Sequence, residues 1–334
     1  WISVPLLAFA GCSSLKTLQI VSGGSLKKIW DYTFYQCKSL ETIIFASDTS
    51  ISSFGSYAFS GSALTSFHFP DSVSIIPRGC FEDCSSLAAV SFGTSSSLSS
   101  IGLYAFQYSS LASIDIPKQV ISIGYFGFYG CAQLETVTFT SDSMLSVLGG
   151  FTFAHTKLKS FTVPSGVKIL SSGLFWGCSS LQSITIFFDG SLSSIDSYAF
   201  YNSGLISIVI PKAVTTIGDY CFKGSTGLTT VTFASGSLLS SIGTAAFQGT
   251  GLTSFLIPKG VTSIPDNSFN GCSKLSSFAF TLGSVATSIG VSAFRGSGLS
   301  SSVLIPISVS AIGDSCFQDC TELKSVVFAS GSLL

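Results

Sequence analysis

A phenylalanine returns along this chain at steps of 22 or 25 residues. From Phe34 onward the two step lengths alternate, with a final step of 23. We call these residues the marker Phe residues, and each one with its following segment a rung. They are Phe9, Phe34, Phe59, Phe81, Phe106, Phe128, Phe153, Phe175, Phe200, Phe222, Phe247, Phe269, Phe294 and Phe317. A fixed period of this size is typical of repeat arrays.

Each rung carries the same apolar pattern after its marker. Leu111, Ile114 and Ile116 follow one marker, and Leu134 and Val137 follow the next. The later apolar positions alternate with polar ones, which indicates a half-buried strand. In the shorter rungs a proline, which donates no ladder hydrogen bond, ends the strand. These prolines are Pro70, Pro117, Pro164, Pro211, Pro258 and Pro306.

A second apolar position precedes each marker by five residues, and a glycine often follows it. These glycines are Gly102, Gly124, Gly149, Gly218 and Gly243. Glycine adopts positive φ at little cost, so we expect a tight turn with φ > 0 there.

A single rung cannot bury its own Leu, Ile and Phe, but stacked rungs can cover one another. The sequence therefore predicts a repeat solenoid of about fourteen rungs over residues 1–334, as a single array. One face is expected to be a parallel β-sheet. The other should hold irregular or short strands and 3₁₀ turns, with little regular α-helix. Because both ends fall within a repeat, we expect the chain to be a fragment of a longer protein.

The motif of these rungs resembles the BspA-like leucine-rich repeat. Residues 111–124 and 128–131 follow its pattern of Leu, two Ile, Pro, Val, Ile-Gly and then Phe-x-x-Cys. The longer rungs depart from it, with Ser/Gly-rich segments such as 234–242 in place of the Pro segment. The resemblance implies a leucine-rich-repeat solenoid in a cell-surface or secreted protein that binds host proteins or other cells. It supplies no catalytic residues.

Composition and motifs exclude several other classes of function. A net charge of −1 provides no basic stripe for nucleic acid. No apolar run is long enough for this segment to insert into a membrane. His68 and His155 stand on distant rungs and cannot share a metal. With no recurrent acidic pair and no phosphate loop, we predict no catalytic, cofactor or metal site, and hence no enzyme.

The ten cysteines suggest thiols rather than a disulfide framework. Six sit three residues after a marker, at Cys37, Cys84, Cys131, Cys178, Cys272 and Cys320, and neighbouring rungs carry Ser or Thr in that slot. Consecutive members lie two rungs apart or more, too far to bridge. We expect buried thiols, with Cys12/Cys37, Cys80/Cys84 and Cys316/Cys320 as the three plausible bridges.

Two surfaces are candidates for binding. In each main strand the first outward position is nearly always Ser or Thr, which suits an exposed strand. The second outward position becomes apolar toward the C-terminus, and we call this set the apolar row: Val209, Thr232, Leu256, Ala279, Leu304 and Val327. It indicates a contact surface, although β-propensity alone could produce it. A second candidate patch is formed by the aromatic residues Tyr129, Trp176 and Tyr201, a residue type that often anchors interfaces. These side chains could equally serve to cover a thin hydrophobic core.

We therefore expect a non-enzymatic binding or adhesion module at the cell surface or outside the cell, without cofactors. Its partner would be a protein or cell-surface ligand, and self-association is possible. The alternative is a cytoplasmic scaffold or filament-associated protein-interaction repeat, for which reduced thiols and absent N-glycosylation sequons are natural.

Overall fold

The computed structural model describes residues 3–46, 48–187 and 191–331. Within these ranges every regular element is a β-strand, and no residue lies in an α-helix or 3₁₀-helix. The chain divides into two compact units, Trp1–Val167 and Lys168–Leu334, here called unit 1 and unit 2. The single array over the whole chain stays a prediction.

Each rung contributes one longer strand, which we call a front strand. In unit 1 the front strands are β2 (Thr17–Ile20), β4 (Thr42–Phe45), β6 (Ser66–Phe69), β8 (Ala89–Phe92), β10 (Ser113–Ile116), β12 (Thr136–Phe139) and β14 (Ser160–Thr162). In unit 2 they are β16 (Ser183–Thr185), β18 (Ser207–Ile210), β20 (Thr230–Phe233), β22 (Ser254–Ile257), β24 (Ser277–Phe280), β26 (Val303–Ile305) and β28 (Val326–Phe328).

A two-residue rear strand precedes each marker Phe. In unit 1 the rear strands are β1 (Ser3–Val4), β3 (Lys28–Ile29), β5 (Ser53–Phe54), β7 (Ile75–Ile76), β9 (Ser100–Ile101), β11 (Ser122–Ile123) and β13 (Val147–Leu148). In unit 2 they are β15 (Ile169–Leu170), β17 (Ser194–Ile195), β19 (Thr216–Ile217), β21 (Ser241–Ile242), β23 (Ser263–Ile264), β25 (Ser288–Ile289) and β27 (Ala311–Ile312). All pairings within each unit are parallel, which confirms the predicted solenoid class.

The marker Phe rings form a continuous stack inside each unit. Every marker from Phe34 to Phe294 has no exposed surface. Neighbouring ring centroids lie 5.3–5.7 Å apart in unit 1 and 5.2–5.5 Å apart in unit 2, close to parallel. This spacing corresponds to offset stacking, the favoured arrangement of parallel aromatic rings. The rungs therefore share one core within each unit.

The residues two before and two after each marker Phe have positive φ in all fourteen rungs, and most are not glycine. Tyr32 and Gln36, which flank Phe34, have φ of 53° and 54°. A left-handed residue with a side chain costs about 1–2 kcal/mol. The conformation aims three backbone N–H groups at the next rung: Tyr32 donates to Ser56, Phe34 to Ala58, and Gln36 to Ser60, at 2.7–2.9 Å. The turns around each marker thus form a third ladder between rungs.

The expectation of positive φ at the glycines after the rear strands is wrong. Gly124, Gly218 and Gly243 do not have positive φ. A Cβ placed on Gly243 would lie 2.3 Å from the backbone nitrogen of Asp219 on the preceding rung. Glycine is required there because two backbones approach closely, not because of handedness.

Proline divides the front strands of each unit into pairs. Hydrogen-bonded ladders join β2 with β4, β6 with β8 and β10 with β12 in unit 1. In unit 2 they join β18 with β20, β22 with β24 and β26 with β28. In most pairs the residue after the second strand donates to the first, as Thr281 does to Ile257 at 3.0 Å. Between pairs that position is a proline, such as Pro258, which has no N–H. We call each interruption a seam.

The same rule explains the interruptions of the rear ladders within the units. One ladder ends between β5 and β7, where Pro77 follows β7, and the other ends between β21 and β23, where Pro265 follows β23. At uninterrupted positions a residue with an N–H donates instead, most often a glycine, as Gly290 does to Ile264 at 2.7 Å.

Truncation of a central marker should be costly because the ring is buried on both faces. We expect Phe128→Ala to lower the free energy of unfolding by about 3–5 kcal/mol, measured by urea denaturation. Tyr125→Ala, in the same segment but at a 58% exposed residue, should change it by less than about 0.5 kcal/mol. Equal effects would contradict the stacked core.

Two glycine substitutions separate close approach from handedness. Gly249 has φ of 67° and open space around its Cβ position, so Gly249→Ala should cost only the left-handed strain, about 1–2 kcal/mol. Gly243→Ala should cost more, about 3 kcal/mol, because the Asp219 backbone must move. Thermal unfolding of both variants tests the order, and the reverse order would contradict it.

Candidate binding face

The outward positions of the front strands lie on the surface, as the alternation predicts. The first outward position of these strands, exposed in both units, is a hydroxyl residue at Thr17, Thr42, Ser66, Ser113, Thr136, Ser160, Ser183, Ser207, Thr230, Ser254, Ser277 and Ser325. In the last pair the Ser302 and Ser325 hydroxyls are 2.6 Å apart. These hydroxyls keep an otherwise charge-poor surface polar.

In unit 1 the second outward position is mostly polar, and several of its side chains are bound to neighbours. His68 Nδ1 lies 2.9 Å from the Ser91 hydroxyl, and the Thr138 hydroxyl donates to Asp115. At the end of β10, Lys118 forms a 2.5 Å ion pair with Asp142, and its hydrogen bond lowers the pKa of that carboxyl. The charges on this part of the face are therefore largely satisfied within the chain.

In unit 2 the apolar row is exposed. The exposed fractions are 44% for Val209, 56% for Leu256, 58% for Leu304 and 47% for Val327. Strand register places Val209 beside Thr232, Leu256 beside Ala279, and Leu304 beside Val327. The structure thus brings the six residues onto one face of unit 2 in three register pairs.

A hollow of about 650 Å³ opens on this face at the seam between β20 and β22. Its lining residues come from these two strands, the turns that follow them and the residue after β24: Thr230, Val231, Thr232, Phe233, Ala234, Gly236, Ser237, Ser254, Leu256, Pro258, Lys259 and Thr281. The exposed Leu238 and Leu282 directly follow two of them along the chain. Sequence reasoning missed this hollow, and its signal is the proline that ends β22.

The second candidate patch lies around the marker segments. In unit 2, Trp176 packs on Tyr201 with ring centroids 4.7 Å apart, and it stacks on Tyr198 at 5.2 Å. Tyr198 in turn stacks on Tyr220 at 5.0 Å. The half-buried rings cover each other's faces, which favours the structural interpretation over a ligand platform.

In unit 1, Tyr129 packs edge-on against Tyr108 and His155, with centroids 5.5 Å apart in each case. Left-handed residues stack there too: Tyr57 lies on Tyr32 at 5.0 Å. These stacked side chains form a column along the rungs, and Gly79 interrupts it between Tyr57 and Tyr104. The Arg78 guanidinium lies near both of these rings there, 5.3 Å from the Tyr104 ring. The sequence spacing alone did not reveal this column.

The cysteine slot after the marker is an internal hydrogen-bonding site. Cys131 donates to the Phe106 carbonyl at 3.0 Å, and its sulfur lies 3.3 Å from the Ser109 hydroxyl. Cys272 makes the matching contacts with Phe247 and Thr250. All ten cysteines are free thiols, so the three plausible bridges are not formed in this structure. The expected buried thiols are confirmed for most of the set, while Cys12 is exposed.

Residues 3–46, 48–187 and 191–331 contain no group of three His, Cys, Asp or Glu side chains placed to hold a metal ion. The same ranges include no helix that is long and apolar enough to cross a bilayer.

Comparisons with known proteins agree with this geometry. The family model of the BspA type leucine rich repeat region matches residues 3–120, 99–229 and 193–324. A leucine-rich repeat protein from Bacteroides ovatus ATCC 8483 is 24% identical, with a TM-score of 0.69 over 97% of this chain and 87% of that one. The pneumococcal vaccine antigen PcpA is 17% identical, with a TM-score of 0.50 over 99% and 82%. At these identities the likeness shows the fold. A search of curated proteins found no match.

Thiol reactivity should separate the exposed cysteine from the buried ones. Burial raises the pKa of Cys84 to about 11 and that of Cys131 to about 12, so at pH 8 these thiols lack the reactive thiolate form. With a disulfide-exchange reagent, we expect Cys12 to react first in the native chain and all ten thiols to react in denaturant. A denatured count of eight would indicate a bridge such as Cys80–Cys84.

Proposed function

This chain belongs to the BspA-type leucine-rich repeat family, and from that premise we propose that it is a non-enzymatic binding or adhesion module. The front face of unit 2 is its contact surface, and the partner is a protein on another molecule or cell. The stacked marker Phe rings hold the backbone of that face in place, together with the hydrogen bonds of the front strands, the rear strands and the marker turns. The outward side chains are therefore the part of the face that differs from rung to rung.

The apolar row is the observation that carries this proposal. Val209, Leu256, Leu304 and Val327 are each about half exposed on one face. Soluble proteins seldom expose a large apolar patch rimmed by polar groups unless it marks a site of association. Hydroxyl side chains flank the strip on every strand, as in interfaces with an apolar centre and a polar rim.

We further propose that the chain is displayed at the cell surface or outside the cell, as its family membership suggests. The alternative is an intracellular scaffold, which the free thiols would suit equally well. Antibodies against this chain should label intact cells of the source organism. Labelling only after permeabilisation would support the scaffold.

Charged substitutions in the apolar row should abolish association. Beads coated with the chain are expected to adhere to cultured epithelial cells, and the double variant Leu256→Asp, Leu304→Asp should reduce adhesion at least about tenfold, because each carboxylate would have to be desolvated. Sedimentation velocity of the same proteins measures self-association in parallel.

The matched control is the double variant Gln19→Asp, Thr162→Asp, at exposed second outward positions of unit 1. It should adhere as the parent does. Adhesion and self-association that both survive the unit 2 substitutions would remove the apolar row as a site.

A further inference from the structure

We infer that the hollow between β20 and β22 binds an extended acidic segment of the partner protein, with an apolar side chain in the hollow and a neighbouring carboxylate on Lys259. This inference rests on the proposed function, because it names the chemistry of the partner that the apolar row would meet.

The hollow exists because this seam is not closed by hydrogen bonds along its length. Pro258 has no N–H to offer to β20, and the bond from Thr253 to Thr229 at the start of the strands is 3.3 Å long. The turn after β20 contributes only small residues, Ala234 and Gly236, which leave the space open. A gap of this kind admits a side chain from outside.

The walls of the hollow are apolar and its rim carries hydroxyls. Leu256, Phe233 and Pro258 supply apolar surface, while Thr232 and Thr281 line it with hydroxyl groups. An aliphatic side chain fits such walls, and the hydroxyls can bind the polar backbone of an extended peptide.

Lys259 is the single charged residue among the described residues that line the hollow. Its Nζ lies 3.7 Å from the position that a Cβ on Gly283 would occupy. Lys212, one pair earlier, lies in the same way beside Gly236. Neither lysine has an ion-pair partner within the described ranges. In the part of the chain that the structure describes, two ammonium groups without a carboxylate partner therefore accompany the apolar row.

Unit 1 contains an equivalent position at which the lysine has an ion-pair partner. Lys118 occupies the position that corresponds to Lys259, but there Asp142 stands where unit 2 has Gly283, and the two form an ion pair at 2.5 Å. Asp115 replaces Leu256. In unit 2 the apolar wall is present and the carboxylate is missing, so the partner is expected to supply it.

The apolar row also sets the spacing of the partner. The aliphatic row members Val209, Leu256 and Leu304 each lie two front strands from the next, roughly 10 Å at the usual strand spacing. Three residues of an extended chain in the polyproline II conformation span about 9 Å, and every third side chain lies on the same side. A suitable probe is therefore a fluorescein-labelled peptide of about twelve residues with leucine at every third position and aspartate between the leucines.

Fluorescence anisotropy with this probe tests the inference on the purified chain. We expect saturable binding that weakens as salt is added, and that is lost when lysine replaces every aspartate or serine replaces every leucine. Lys259→Gln should weaken binding about three- to fivefold, as loss of an ion pair to an exposed lysine does, and Leu256→Asp should abolish it. Laurate, which combines an apolar chain and a carboxylate without a peptide backbone, should compete poorly.

Lys223→Gln is the matched control, since Lys223 lies over the Tyr220 ring in the marker region of the same unit. It should bind as the parent does, and circular dichroism should show all variants folded. The inference is overturned if the probe does not bind, if the lysine peptide binds equally well, if laurate displaces the probe at equal concentration, or if Lys259→Gln binds within twofold of the parent.

The same measurements distinguish this inference from the proposed function. Loss of cell adhesion in the apolar-row variant without any binding of the acidic probe leaves the function standing and removes the acidic partner. A dimer of the chain that Leu256→Asp dissociates would identify a second copy as the occupant, and would also overturn the inference.

Discussion

Marker Phe rings of neighbouring rungs stack with their centroids 5.2–5.7 Å apart, and this contact exists only between rungs. A single rung has no interior in which to place its ring, so its fold depends on its neighbours. The left-handed residues on both sides of each marker, such as Tyr32 and Gln36, are tolerated for the same reason. Their backbone strain is offset by hydrogen bonds that only the next rung can accept.

Proline determines where the hydrogen-bonded ladders between front strands are interrupted. The chain has nine prolines, and those that end front strands separate one hydrogen-bonded pair from the next. At the Pro258 seam the neighbouring side chains include Leu256 and Lys259, which has no ion-pair partner among the described residues, and the backbone irregularity becomes a place with recognisable chemistry.

Much of the fold could be predicted from the sequence because its determinants are local. The period of the marker Phe, the alternation in Ser113–Ile116 and the exposure of Leu256 all follow from spacing along the chain. The positive φ of Tyr220 could not be predicted, because it is stabilised by the next rung rather than by its own residue type. The glycine expectation failed at Gly243 because close approach and handedness favour the same amino acid.

The candidate site, like the fold, combines features that follow from residue spacing with features that depend on neighbouring rungs. Residue spacing predicted the apolar row, but not the hollow beside it. No carboxylate among the described residues pairs with Lys259, because a glycine stands 24 positions further along the chain, and this juxtaposition is visible only once the turns of adjacent rungs are placed side by side. Tyr129, Trp176 and Tyr201 were singled out by residue type, whereas the structure shows rings that pack on their own neighbours.

The proline seams also bear on how such a chain can change in length. Pro211 and Pro258 are 47 residues apart, the span of one pair of rungs. Duplication or deletion of a whole pair leaves the ladder inside every remaining pair intact. Deletion of a rung that lacks proline, such as the one that holds β20, would leave the Ile210 carbonyl facing Pro258 instead of the Ala234 N–H that it accepts in this structure, so that β18 would lie between two seams. Changes of length by whole pairs should therefore be tolerated better than the loss of a single rung without proline.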